Sequence, residues 1–405
     1  MHCRIEIFAL SILVAVVTAL GCSGIVPCDN QRDLPAHIEA AVNPIPIRRH
    51  FIQNNSHHKI LVAVIDTGID YNHPKLVNNI HFCLDRNHRP VRLGWDFIGQ
   101  DGWPSPYIGR RNSVSDFERD VIDKLIHEEA ALEIYLDKRR NVVQECLASA
   151  WHGTSLAGLI VQDCRYIGLL GYRVIPPNRM PQVHPDYALQ ISENLLRACR
   201  YAVEDGANIV VMTAFLHFDM ADDDISYLRM KKLRHQFEEL LKIHDDVLFL
   251  ASAGNCNGYT FSGQAANQID FPAGIPAENL LVVGSFSKEG HPSCFSNIPS
   301  HQIRAVYLPG EDMECICPLK MLGLPDKYLA TLPTFFDDLL EGNESYGSLV
   351  SYLQMMGIKE PMINSGTSFS TALAASACAK LWVENVEAAP RDIIEKLLEV
   401  FGGSF

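Results

Sequence analysis

Residues 60–66 read Ile-Leu-Val-Ala-Val-Ile-Asp, an apolar run that meets no polar residue until its last position. A strand with one wet face alternates apolar and polar residues. This one does not, so both of its faces are covered and it belongs in a parallel sheet. Runs of the same kind recur at 208–215, 247–253 and 280–286. Between and after them lie segments with helical spacing and charged faces, at 186–205, 222–244 and 390–401. The alternation predicts an α/β chain with a mainly parallel central sheet and helices on both faces. Residues 83–113 read as irregular loop and 288–310 as turn-rich, whereas 114–144 has the spacing of one or two amphipathic surface helices.

The chain has 405 residues, enough for one large domain or two modest ones. Its net charge of −14 gives no electrostatic reason to hold nucleic acid or an anionic membrane surface. Residues 7–20 are apolar and uncharged, preceded by Arg4 and followed by Gly21-Cys22. That is the pattern of a signal peptide over residues 1–21, too short for a membrane span. Cleavage after Gly21 would release a secreted or periplasmic protein. Leu20-Gly21-Cys22 also resembles a bacterial lipobox, which would anchor the chain to the cell envelope by a lipid on Cys22 and give it no other membrane contact. Residues 22–58 are polar with scattered proline and read as an N-terminal arm before a single domain at 59–405. Of twelve cysteines, ten remain once Cys3 and Cys22 are set aside. None falls in a C-x-x-C pair, so no zinc site is expected. Cys378 is expected to be buried and free. Nothing in the sequence fixes an oligomeric state.

Four polar residues stand at the ends of these elements beside small residues. Asp66 closes the first strand, His152 opens a short helix over 150–161, and Asn255 follows the 247–253 strand. Ser368 falls in the first turn of a helix of small and apolar residues reaching 382, where unpaired backbone N–H groups and the helix dipole favour negative charge. Acyl transfer needs a nucleophilic hydroxyl, an imidazole to take its proton, a carboxylate to orient that imidazole, and fixed donors for the oxyanion. The order Asp, His, Ser is that of subtilisin, and differs from the orders in chymotrypsin and the α/β-hydrolases.

Val64-Ile65-Asp66-Thr67-Gly68, His152-Gly153-Thr154-Ser155, Ser252-Ala253-Gly254-Asn255 and Gly366-Thr367-Ser368-Phe369-Ser370 resemble, in order, the Asp, His, Asn and Ser motifs of the subtilisin-like (subtilase) serine peptidases. The resemblance covers about residues 58–400. It implies the three-layer subtilisin-like fold and an exported endopeptidase acting on protein or peptide substrates. Ser368 would be the nucleophile, His152 the base and then acid, Asp66 the orienting carboxylate, and Asn255 an oxyanion donor. Thr213, Ala214 and Phe215 would line the substrate opposite Ser252, Ala253 and Gly254. Asp270 would lie at the floor of the side-chain pocket and favour Lys or Arg. No cofactor is implied. The family's calcium site looks altered, because Arg165 stands where compact members supply oxygen ligands.

The chain departs from the family pattern at several points. Ser155 replaces a second His, Ala372 replaces a Pro, and Phe215 stands in place of a Gly, which should narrow the subsites. The Asp-to-His interval is 152 − 66 = 86 residues, long enough to imply an insertion at about 97–147, and a second lies at 311–361. The substitutions at 212–215 and 372 motivate a second reading, an exported binding or scaffold protein with impaired catalysis. Other chemistries lack parts: there is one Asp-Thr-Gly where an aspartic protease needs two, no G-x-S-x-G surrounds Ser368, and His127-Glu128 lacks a zinc helix's second His.

Overall fold

A computed structural model describes residues 58–71, 73, 75–84, 90–100, 102, 104, 106, 151–162, 164–175, 185–219, 225–261, 268–317 and 362–401. The leader, Cys22, the arm up to residue 57, the helices expected at 114–144 and most of both insertions lie outside those residues.

In chain order the elements begin with β1 (Ile60–Asp66), β2 (Cys83–Leu84), β3 (Pro90–Arg92), β4 (Gly94–Asp96), α1 (His152–Val161), β5 (Ile167–Arg173) and α2 (Pro185–Glu204). Next come β6 (Ile209–Met212), β7 (Leu216–Asp219), α3 (Ile225–Ile243), β8 (Leu248–Ser252), β9 (Thr260–Phe261), β10 (Gln268–Phe271) and β11 (Leu280–Phe286). The chain continues through β12 (Ile298–Pro299), β13 (Ala305–Pro309), β14 (Met313–Cys315), β15 (Met362–Asn364), α4 (Thr367–Glu384) and α5 (Pro390–Phe401). Seven strands form one sheet in the order β13-β11-β8-β6-β1-β5-β4, and every neighbouring pair is parallel.

The reading of β1 as buried on both faces explains the layers. Val62 and Val64 enter one apolar core with α1, α4 and α5. Ala63 and Ile65, on the opposite face, enter a second core with α2 and α3. Helix α4 lies close on the sheet because its inward positions are small: Ala372, Ala375 and Ala379 are fully buried. At the sheet's edges the expectation fails. Residues 83–113 are not all loop, since β4 pairs with β5, and the turn-rich 288–310 contains β13, which pairs with β11.

Three antiparallel pairs decorate the sheet. β2 pairs with β3, and β7 with β10, setting His217 opposite Asp270. β14 pairs with β15 in the register Met313↔Asn364. This last ribbon brings together the two chain segments that flank residues 316–361, just before α4. Beside it, Ser155 donates its hydroxyl to the Ile316 carbonyl and so ties α1 to the segment that follows β14.

Cys378 is free and buried, as expected, and so are Cys199 and Cys315; Cys317 is also buried, while Cys256 and Cys294 are exposed. Burial pushes the Cys315 and Cys378 thiols up to about 12. Thiolate is the reactive form, so native protein treated with iodoacetamide near pH 8 should be alkylated first at exposed Cys294 and more slowly at exposed Cys256, whose thiol is raised by partial burial. The buried thiols of Cys199, Cys315 and Cys378 should react only after denaturation. Peptide mass mapping reads the outcome, and native labelling of Cys378 at the rate of Cys256 would contradict this packing.

Candidate active site

The carboxyl ends of β1, β6 and β8 open on one side of the sheet, and the first turns of α1 and α4 meet them there. Such strand ends are where open α/β sheets hold ligands. Asp66, the last residue of β1, is fully buried. His152, the first residue of α1, turns its Nδ1 toward that carboxylate, 2.9 Å from Oδ1 and 2.8 Å from Oδ2. The Thr67 backbone N–H donates to Oδ1 at 2.7 Å, and the Thr213 hydroxyl donates to Oδ2.

Burial alone would push the Asp66 carboxyl up. The charge of His152 and the hydrogen bonds from His152, Thr213 and Thr67 outweigh it and hold the group below its ordinary value of 3.8. A carboxylate only accepts hydrogen bonds, so His152 Nδ1 carries the proton and the imidazole's Nε2 is left as the basic atom.

Two close approaches seat α1 against β1. The Gly153 N–H donates to the Thr67 hydroxyl at 3.0 Å, and the Asp70 N–H donates to the Thr154 hydroxyl at 2.9 Å. A Cβ at position 153 would lie 2.3 Å from the Gly68 carbonyl oxygen, so only glycine fits between the His and Asp turns. On the other side of the imidazole, the rings of Trp151 and Phe369 stack at 6.1 Å and 7°. His152 stands near edge-on to both, with centroids 5.5 and 5.7 Å away. Through Phe369, α4 is therefore in direct contact with the imidazole.

Ser368 is the second residue of α4, so its backbone N–H has no partner inside the helix. It is 6% exposed, and among the described residues its hydroxyl has no hydrogen-bond partner, His152 included. Just before it, Thr367 locks the β8 end to the helix. Its N–H donates to Asn255 Oδ1 at 2.9 Å, and its hydroxyl donates to the same oxygen at 3.0 Å while accepting from the Gly254 N–H at 3.2 Å. The Asn255 oxygen is thus occupied, and Nδ2 is the end left for other contacts. Beneath the turn, the Ser370 hydroxyl reaches the carbonyls of Leu308 and Pro309, and the Gly366 N–H donates to Gly310.

The strand ends expected to line a substrate lie side by side, with the Ser252 hydroxyl donating to the Thr213 carbonyl at 2.8 Å. Ala214 follows Thr213, and Ala253 is fully buried. Asp270 is buried in β10, where His217 Nδ1 lies 2.8 Å from its Oδ1. Among the described residues no group of three or more His, Cys, Asp or Glu is arranged to hold a metal ion. Near Arg165, the carbonyls of Cys164 and Ile167 accept hydrogen bonds from Asn79 Nδ2 at 2.9 and 2.7 Å.

The family model described as the subtilase family, peptidase S8, matches residues 57–399. The chain belongs to the subtilase family. No curated protein matches its sequence. Among solved structures, this subtilase is similar to a lanthipeptide protease at 15% identity and a TM-score of 0.51, over 90% of this chain and 88% of the other. It is also similar to the MycP3 protease of the type VII (ESX-3) secretion system, at 17% identity and a TM-score of 0.50, over 86% of this chain and 78% of the other. At these identities the likeness is one of fold.

Sequence alone assigns no role at the centre to Thr67, Thr154, Trp151 or Thr367. The available signal is position, since each adjoins a motif residue. Thr213, expected to line the substrate, turns its hydroxyl to the Asp66 carboxylate.

Proposed function

We propose that this subtilase is an exported serine endopeptidase that cleaves peptide bonds through an acyl-enzyme on Ser368. The observation that carries the reading is the pairing of His152 Nδ1 with both oxygens of a buried Asp66, beside the helix turn that bears Ser368. His152 Nε2 takes the hydroxyl proton as Ser368 Oγ attacks the substrate carbonyl, and Asp66 stabilises the resulting imidazolium. The oxyanion is met by the free Ser368 N–H and by Asn255 Nδ2. His152 then returns the proton to the leaving amine, and water releases the acyl group by the same steps in reverse. A hydrogen bond between serine and imidazole is often long in a free enzyme and tightens with substrate. The extended substrate lies along residues 213–215 and 252–254. Export rests on the apolar leader at 7–20 and on Cys22; no described helix is long and apolar enough to cross a membrane.

A fluorophosphonate probe, with the labelled peptide identified by mass spectrometry, tests the proposal. Labelling confined to Ser368 is the expected result. A folded protein that takes up no probe would leave the binding or scaffold reading in its place. Asn255→Ala should lower kcat by about 10²–10³-fold, because one oxyanion donor is lost while the nucleophile and base remain. A change in KM alone would place Asn255 outside the transition-state contacts.

A further inference from the structure

Strands β6 and β8 run parallel, with Met212 paired to Ala251. The segments that leave them, 213–215 and 252–254, therefore continue side by side toward Asn255. With the substrate path proposed above, a carbonyl held between Asn255 and Ser368 would direct the side chain of its own residue into the space beside Gly254. That space is filled. A Cβ on Gly254 would lie 2.6 Å from Cγ and 2.8 Å from Cδ1 of Phe215, and 2.6 Å from Asn297 Nδ2.

Gly254 has a φ of +92°, so its backbone turns into the left-handed region where glycine is favoured. The Phe215 ring lies across from one strand end onto the other. It is held from behind by Phe261, with ring centroids 5.3 Å apart, and Phe261 in turn stacks on Tyr259 at 6.4 Å. Asp270, which could attract a cationic side chain, is already paired with His217, and the Tyr259 ring stands edge-on to that imidazole at 5.0 Å.

We infer that Phe215 closes the side-chain pocket at the cleaved bond, so that the peptidase cuts after glycine or alanine and not after large or cationic residues. The inference rests on the serine-peptidase reading above and sharpens its substrate class. A ring fixed by packing on Phe261 admits a hydrogen or a methyl group at the Gly254 face and excludes a branched, aromatic or long basic chain. This replaces the Lys or Arg preference expected from Asp270 alone.

The test is a peptide library randomised at the residue before the cleaved bond, read by mass spectrometry, alongside fluorophosphonate labelling of the same wild-type preparation. Wild type should cleave after Gly and Ala about 100-fold faster than after Leu, Phe or Lys. Phe215→Gly should bring Leu and Phe to within about 10-fold of Ala. Labelled wild type that cleaves after Leu, Phe or Lys as fast as after Ala overturns the inference and leaves the peptidase reading standing. Folded wild type that is not labelled overturns both. Should Phe215→Gly fail to fold, the wild-type profile decides alone.

Discussion

Replacing Ser368 with alanine is expected to lower kcat for peptide hydrolysis by about 10⁶-fold, as large an effect as any single substitution in this chain should have. The hydroxyl is the only nucleophile free to act at the α4 turn, and no neighbour among the described residues can take its part. Asn255 offers an amide, and Thr367 spends its hydroxyl between Gly254 and Asn255. The fold should be untouched. Ser368 Oγ makes no hydrogen bond among the described residues, and alanine is the best helix former. Thermal unfolding and circular dichroism should therefore match wild type while fluorophosphonate labelling disappears. A Ser368→Ala protein retaining more than about a hundredth of wild-type turnover would remove Ser368 from the mechanism.

Asp66→Asn should cost about 10⁴-fold in kcat, for a reason visible in the hydrogen bonds. The carboxylate accepts from His152 Nδ1, from the Thr67 N–H and from the Thr213 hydroxyl, and it donates nothing. With one oxygen still held by the Thr67 N–H, an asparagine turns its amide donor toward His152. The imidazole proton moves to Nε2, and the base that would face Ser368 is lost.

The same substitution has a signature in stability. The folded pKa of Asp66 lies below the ordinary 3.8, so its stabilisation is fully present above that value and is lost as pH falls through the lower folded one. Chemical denaturation of wild type and Asp66→Asn should show a gap that is constant from neutral pH down to about 3.8 and closes under stronger acid. A gap that instead widens with acid would mean the carboxylate is not held ionised by His152.

The parts of the fold that can be read from sequence are those whose environment is uniform. β1, β6, β8 and β11 are covered on both faces, and an unbroken apolar run of four to six residues is what such a strand requires. β4 and β13 escape a sequence reading because edge strands carry mixed signals. Gly94-Trp95-Asp96 is three residues long, and Ala305–Pro309 alternates half-buried and buried positions and ends in proline.

The candidate site divides the same way. Asp66, His152, Asn255 and Ser368 can be singled out because each sits at an element's end among small residues. The Trp151–Phe369 stack, the Thr213 hydroxyl on Asp66 and the His217–Asp270 pair join residues 218, 147 and 53 positions apart. Side-chain partners at such separations are chosen by the packed chain, and no local pattern announces them. Asp270 illustrates the point: its carboxylate meets His217 across the β7–β10 pair, a contact that no local pattern around either residue foretells.

Thr367 has a directional consequence. A hydroxyl has one proton, and here the Gly254 N–H takes a lone pair and Asn255 Oδ1 takes the proton. The Thr367 N–H points at the same oxygen. If the Asn255 amide rotated by half a turn, its NH₂ would confront that N–H, and no rotation of the hydroxyl could relieve a clash between two donors. The amide is therefore polarised one way before any ligand arrives, like a compass needle pinned in its housing. An arriving carbonyl meets a dipole that is already aligned and need not spend binding energy turning it.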